Sequence, residues 1–359
     1  MKIAIDASRY GHKSATGVEW YSFHIINHLI QENKEHEFLL YCRDKIDIEE
    51  SERVKLRVIK NKRLWTILGL TNRIFKDKPD CLFVPSHTLP ILLPKRSAIM
   101  IHDLAFKRYR DSYKLFQYLY LDLSTRFAVR FSSRILVPSD ATKNDLIRFY
   151  KCDPKKISTI YHGFDSNEYL EEKDMKKASK FSAKIPYLLF VGRIETKKNI
   201  SKILKAFERI KEKYSDFSLI LAGKPGVGYP EIEKQISTMK HKQDVILPGY
   251  ISEEEKRYLY KNAVCFVFPS LFEGFGFPVL EAFASKCPVV CSDSGSLPEV
   301  CGEACMLTNN NDDGALYENI FKLIENKEIR EKLINMGLNR LSFFDWEKCA
   351  KETLKALTV

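Results

Sequence analysis

Short apolar runs with the composition of buried strands alternate with segments of helical spacing along almost the whole chain of 359 residues. In the amino-terminal half the strand candidates are Ile3–Asp6, Glu37–Cys42, Lys55–Ile59, Cys81–Pro85, Ala98–His102, Ile135–Pro138 and Ile157–Tyr161. In the carboxy-terminal half they are Tyr187–Gly192, Phe217–Ala222, Val245–Pro248, Cys265–Pro269, Pro288–Ser292 and Cys305–Leu307. Between them, Val18, Tyr21, Ile25 and Leu29 recur at helical spacing, as do Ile203, Phe207 and Ile210. Alternating strands and helices predict an α/β chain whose sheets are parallel and covered on both faces. A charged stretch without a clear period, Glu168–Lys184, interrupts the pattern, and Pro186 starts a new strand. The expected organisation is two Rossmann-like domains, residues 1–180 and 185–342, with parallel sheets facing a central cleft. Residues 343–359 add a helix, Trp346–Leu357, that packs back on the first domain. In such sheets ligands bind at the carboxyl ends of strands, so the residues after each strand are where chemistry is sought.

A hydrophobic content of 45% supports two packed cores and excludes a disordered chain. The net charge of +11 is uneven: residues 1–180 hold 33 Lys and Arg against 23 Asp and Glu. The basic surface therefore belongs to the first half and predicts anionic partners there. The start Met-Lys-Ile-Ala-Ile-Asp reads as a strand and not as a secretory leader, and no apolar run is long enough to span a bilayer. Nine cysteines, several inside apolar runs, predict reduced thiols and a cytoplasmic protein. Cys287, Cys291, Cys301 and Cys305 form two C-x3-C pairs, which raises zinc. The spacing departs from C-x2-C, so the expectation is small core residues and no metal.

The segment Glu273-Gly-Phe-Gly-Phe-Pro-Val-Leu-Glu281 follows a buried strand and precedes a helix. Glu273 falls in a Gly-rich turn and Glu281 about one turn into the helix, with Pro278 suited to its first turn. The motif offers carboxylates for sugar hydroxyls beside backbone amides for a phosphate. Gly192-Arg193 ends another strand, with Lys198 five residues on, so that two cations reach toward a diphosphate. The plainer reading of that loop is a solvated basic turn. His102 ends the strand Ala98–His102, and Gly17 opens a helix after the first strand. Singly these two read as a structural histidine and a helix capped by Thr16.

Taken in order, these elements resemble the family 4 glycosyltransferases of the GT-B fold. The resemblance rests on Glu273 and Glu281, on Gly192 to Asn199, and on the early Gly17 loop. His102-Asp103, Pro138-Ser139, Gly163-Phe-Asp165 and Phe344-Asp-Trp346-Glu347 add to it. The first half further looks like bacterial mannosyltransferases of surface-polysaccharide assembly. The resemblance implies a retaining, metal-independent hexosyltransferase with no cofactor, whose donor is a nucleoside-diphosphate sugar, GDP-mannose favoured. It implies that Arg193 and Lys198 hold the diphosphate, Glu281 the ribose hydroxyls and Glu273 the donor sugar. Phe275, Gly276 and Phe277 would complete the sugar and phosphate site, with His102 near the sugar and Gly17 allowing close approach. Tyr250 and Ile251 would contact the base. His162-Gly163 departs from the Asn-Gly of many relatives, which leaves that loop's role open.

Lys62–Lys76 mixes basic ends with Trp65, Ile67, Leu68, Leu70, Ile74 and Phe75, and Tyr109–Arg134 is rich in aromatics and Arg. Both read either as core-facing helices with basic outer faces or as surfaces for anionic lipid. The second reading predicts peripheral attachment to the inner face of the cytoplasmic membrane and a lipid-linked glycan as acceptor. A sugar-nucleotide epimerase of the same fold is the alternative enzyme. A nucleic-acid-binding protein is the alternative from charge alone, but no recognised binding motif supports it, and no nucleic acid is expected as a partner.

Overall fold

The computed structural model of the chain describes residues 1–11, 17–60, 64–166, 169 and 186–358. The chain divides into two compact units, residues 1–163 with 344–359, and residues 164–343. The division falls at Gly163/Phe164, where the sequence pattern carries the first domain to residue 180. Nearly all of the linker Glu168–Lys184 lies outside the described residues.

The first unit is built on β1 (Lys2–Asp6), β2 (Glu37–Cys42), β3 (Val54–Val58), β4 (Cys81–Val84), β5 (Arg96–Met100), β6 (Arg134–Val137) and β7 (Ile157–Thr159). Its helices are α1 (Gly17–Glu32), α2 (Thr71–Asp77), α3 (Ala105–Arg108), α4 (Leu115–Phe131) and α5 (Asp140–Tyr150). The strands form one sheet in the order β3-β2-β1-β4-β5-β6-β7, and every pairing is parallel. Near-continuous burial along β1, β2 and β4 follows from their apolar runs, since helices cover both faces. The stretch around Trp65 divides its apolar residues. Trp65, Leu70 and Ile74 are in the core, while Leu64, Leu68 and Phe75 are exposed. Lys62 and Arg63, the basic start of that stretch, lie outside the described residues, as does Thr16.

The C-terminal helix, Trp346–Thr358, belongs to this first unit and packs on α1. Its buried face is Trp346, Cys349, Ala350, Thr353 and Leu357, a helical stripe. The Trp346 ring stacks on His24 at 4.9 Å between centroids. Gly163 makes this docking possible: a Cβ there would lie 2.3 Å from Trp346 Cγ and 2.4 Å from its backbone nitrogen. The loop His162-Gly163 thus has a packing role, with His162 also 4.2 Å from the Tyr21 ring.

The second unit carries β8 (Tyr187–Val191), β9 (Ser218–Ala222), β10 (Val245–Gly249), β11 (Cys265–Phe268), β12 (Val289–Ser292) and β13 (Met306–Thr308). Between and after them come α6 (Ile200–Lys213), α7 (Tyr229–Thr238), α8 (Glu253–Asn262), α9 (Phe277–Ala284), α10 (Leu297–Cys301), α11 (Ala315–Glu325) and α12 (Lys327–Leu341). The sheet order is β10-β9-β8-β11-β12-β13, again wholly parallel. Ile200, Ile203, Leu204, Phe207 and Ile210 of α6 are buried, one face of a helix at the spacing seen in sequence. Ser252 and Glu255 close a reciprocal capping box at the start of α8.

Replacing Gly163 by alanine forces Trp346 away from its place against α1. Overpacking of this kind is expected to lower stability by about 1–3 kcal/mol. Urea unfolding followed by tryptophan fluorescence checks it, and an unchanged midpoint would refute the packing role.

Candidate active site

In the second sheet the strand order reverses between β8 and β11, and their carboxyl ends lie side by side. A reversal of this kind opens a crevice outside the strand ends, where ligands of open α/β sheets bind. The residues that follow β8 are Gly192 and Arg193, and those that follow β11 lead to Ser270 and Glu273. Gly223, after β9, comes so close that a Cβ would lie 1.8 Å from the Gly192 carbonyl oxygen, so the rim is narrow there.

Lys198 and Glu273 are brought together as an ion pair, Nζ on Oε1. The Ser270 hydroxyl donates to the same Oε1, and the Lys198 ammonium sits 5.1 Å from the centre of the Phe268 ring. The resemblance gives Lys198 and Glu273 separate partners, whereas here each is the other's partner. The backbone supports the pairing: the Leu271 amide donates to the Lys197 carbonyl at 2.9 Å. Oε2 of Glu273 retains acceptor capacity beside this pair. Arg193 is exposed, and among the described residues it makes no hydrogen bond or ion pair.

The turn after Glu273 is held from below by Ser296. Its hydroxyl donates to the Phe275 carbonyl at 2.7 Å and lies 3.1 Å from that of Glu273. The Ser296 amide also donates to Glu273 O at 3.1 Å. Gly276 caps α9 with φ 116°, a conformation that favours glycine, and Pro278 lies in the helix's first turn. Phe275 and Phe277 flank that N-terminus, which carries positive dipole charge.

Glu281 lies on α9 and is paired with Lys256 of α8 at 2.7 Å. The Tyr260 hydroxyl donates to its other oxygen at 3.2 Å. Burial alone would lower the Lys256 pKa, but Glu281, Tyr169 and Glu253 outweigh it and hold the ammonium well above its ordinary range. The second carboxylate of the motif is therefore held in place by a permanent cation. Tyr250 follows β10 and is exposed, with the Lys224 ammonium 4.6 Å from its ring centre, whereas Ile251 is buried.

Sequence reading missed Lys256, Tyr260, Ser270, Ser296 and Gly223. The capping box at Ser252 marks a helix, on which Lys256 and Tyr260 share a face, yet nothing local names Glu281 as their partner.

In the first unit, His102 lies beyond the carboxyl end of β5 and is nearly buried, its Nε2 2.9 Å from the Pro85 carbonyl oxygen. The rings of Tyr21, His87 and His162 surround it at 5.1 to 5.4 Å. Burial, with a smaller contribution from His87, pulls its pKa down to about 3. Burial likewise holds His162 well below its ordinary value. His102 is thus a neutral hydrogen-bonding group, not a cation. Gly17 is the first residue of α1, and a Cβ there would meet no atom within 4 Å. Packing within the described residues does not require glycine at that position.

The histidines set a pH response. An unfolded chain protonates histidine near pH 6.5, and folded His102 resists protonation until about pH 3. Between those values the unfolded state binds more protons, so stability falls as pH drops below about 6.5. The His102 ring resonances are expected to stay constant from pH 8 to pH 5. A midpoint near 6.5 in an NMR titration would contradict the burial argument.

Two family models match the chain. The one described as Glycosyltransferase Family 4 covers residues 15–168. The one described as Glycosyl transferases group 1 covers residues 171–340. Among curated relatives, O-antigen chain mannosyltransferase B of Escherichia coli is 29% identical over 78% of this chain and 75% of its own length. An N-acetylgalactosaminyltransferase of Campylobacter jejuni, named for an N-acetylgalactosamine-N,N'-diacetylbacillosaminyl-diphospho-undecaprenol acceptor, is 29% identical over 62% of this chain and 59% of its own length. Among solved structures, HepE of Anabaena in complex with UDP-glucose aligns with a TM-score of 0.76 at 17% identity, covering 100% of this chain and 99% of that one. With its two parallel sheets ordered alike and a family model matched to each half, the chain belongs to the family 4 glycosyltransferases of the GT-B fold.

Proposed function

We propose that this glycosyltransferase moves mannose, with retention of configuration, from a nucleoside-diphosphate sugar to a lipid-linked glycan in surface-polysaccharide assembly. GDP-mannose is the favoured donor. The observation that carries the reading is the Lys198–Glu273 pair, which joins the loops after β8 and β11, with Arg193 on the first of those loops and the N-terminus of α9 after the second. Two cations and a helix N-terminus suit a diphosphate, and a carboxylate whose second oxygen keeps acceptor capacity suits a sugar hydroxyl. Glu281, held by Lys256 and Tyr260, suits the ribose hydroxyls, and Tyr250 and Ile251 the base. The name of the E. coli relative supports mannose. That of the C. jejuni relative supports a lipid-linked acceptor.

In the reaction the bond from C1 to the leaving phosphate oxygen breaks while the acceptor oxygen bonds C1 on the same face. The leaving phosphate takes the acceptor proton. Arg193 and Lys198 stabilise the departing diphosphate without a metal, since the charge that develops on it lies where the cations already stand. Glu273 is engaged by Lys198 and Ser270, which favours a role in positioning over one as a nucleophile. In the first unit, His102 offers a neutral donor or acceptor, and Gly17 leaves room for a ligand at the start of α1.

Among the described residues no helix is long and apolar enough to cross a membrane. An attachment to the surface of an anionic membrane is supported by α4. Its inner face holds Asp122, Thr125 and Ala128, while Leu115, Phe116, Leu119, Tyr120 and Leu123 point outward, Phe116 82% exposed. Lys114, which caps the helix, and Arg126 and Arg130 on it are exposed and suit acidic headgroups.

Acceptor-dependent release of nucleoside diphosphate tests the activity, and release or isomerisation without acceptor would favour the epimerase. Arg193→Ala and Lys198→Ala are each expected to lower kcat about 100- to 1,000-fold. Near-normal turnover in either would remove its role. Phe116→Glu with Leu119→Glu is expected to abolish flotation with phosphatidylglycerol vesicles while turnover of a water-soluble acceptor persists. Unaltered flotation would dismiss α4 as the membrane face.

A further inference from the structure

Nine cysteines are free and buried, and three of them converge. Cys291 lies in β12, Cys301 ends α10, and Cys305 stands just before β13. The Cys291 sulfur is 3.4 Å from that of Cys301 and 3.4 Å from that of Cys305. All three sulfurs lie within 4.8 Å of one another. The fourth cysteine of the two C-x3-C pairs, Cys287, turns away, its sulfur 3.6 Å from the Pro288 carbonyl oxygen. A buried cysteine ordinarily behaves as a small apolar residue, and the other cysteines are accounted for that way. Three thiols from three separate elements meeting at one point need a further reason.

We propose that Cys291, Cys301 and Cys305 form a structural site for a thiophilic divalent cation of the zinc class. A cation about 2.3 Å from each of three sulfurs spaces them roughly 3.8 Å apart; the two edges at Cys291 are 3.4 Å and the third is under 4.8 Å, so a small rearrangement closes the triangle on one. Soft thiolates select zinc-like ions over magnesium or calcium. Binding releases the thiol protons to solvent, and three thiolates with a divalent ion leave one negative charge. Arg340 stands beside it: Nε donates to the Val300 carbonyl at 3.0 Å and Nη2 to that of Glu299 at 2.7 Å, at the end of α10. Cys301 and Cys291 are fully enclosed, and Cys305, 9% exposed, gives the ion its way in. The site lies apart from the transfer chemistry but touches its scaffold. It grips the last residue of α10, the helix whose cap, Ser296, holds the Glu273 and Phe275 carbonyls. A cation there fixes the turn that presents Glu273.

The test uses the full chain, reduced and freed of metal with a chelator. One equivalent of Co2+ is expected to produce sulfur-to-cobalt charge-transfer absorption that saturates at one ion per chain and is displaced by Zn2+. Cys305→Ser should lose most of that absorption, and Cys287→Ser should keep it. X-ray absorption at the zinc edge of the wild-type Zn2+ complex should give three sulfurs near 2.3 Å, a readout that needs no variant to fold. No thiolate band at one equivalent, an undiminished band in Cys305→Ser, or a zinc shell of oxygen and nitrogen alone would overturn the site. None of these readouts depends on sugar transfer, so the site and the transferase reading stand or fall separately.

Discussion

From β8 the second sheet grows outward through β9 and β10, then returns to the other side of β8 to lay down β11. That single reversal opens the crevice outside the strand ends, where ligands of open α/β sheets bind. Two crossover helices leave β8 and β11 on opposite faces, so the loops after those strands are not covered and face each other at one edge. Gly192-Arg193 and Lys198 come from the first loop, and Ser270 and Glu273 from the second. The ion pair between Lys198 and Glu273 ties the two loops together, beside the Leu271 amide on the Lys197 carbonyl. It is largely shielded from water, which makes it stronger than a surface pair but makes loss of either partner costly. A ligand phosphate near Lys198 would share the ammonium with Glu273 and not find it idle.

The loop after β11 is also supported at some distance from the ion pair. Ser296 fixes the carbonyls of Glu273 and Phe275, and Ser296 is the cap of α10, whose other end is the cysteine cluster. Lys256 and Tyr260 fix the second carboxylate in the same way from α8. Each carboxylate of the motif is thus oriented by neighbours on a different element, which is what a preorganised site would require.

The strands were legible because parallel strands buried on both faces read as continuous apolar runs. Cys265–Phe268 and Tyr187–Val191 leave little doubt about their state. The turn after β11 was equally legible, since Gly276 and Pro278 carry local backbone requirements. What sequence could not supply were contacts between residues far apart in the chain. Lys256 lies 25 residues before Glu281 and Ser296 lies 23 after Glu273, with no local signal joining them. The cysteines show the same gap. The C-x3-C spacing points to pairs, whereas the fold selects Cys291, Cys301 and Cys305 and leaves Cys287 out. The stretch from Lys62 to Lys76 shows the same limit in another form. Its composition allows a core-facing or an interfacial helix, and the fold divides it: Trp65, Leu70 and Ile74 go to the core while Leu64, Leu68 and Phe75 stay exposed.

The central claim is that the second unit is built to hold a nucleoside-diphosphate sugar. A thermal-denaturation series over GDP-, UDP-, ADP- and dTDP-sugars tests it most directly, because a ligand that binds only the folded state stabilises it by mass action, about 2.7 kcal/mol at a hundred times its Kd. The account predicts that one nucleotide class, with GDP-mannose first, raises the melting temperature, and that the free sugar does not. A flat series, with no nucleoside diphosphate or its sugar shifting the transition, would contradict it.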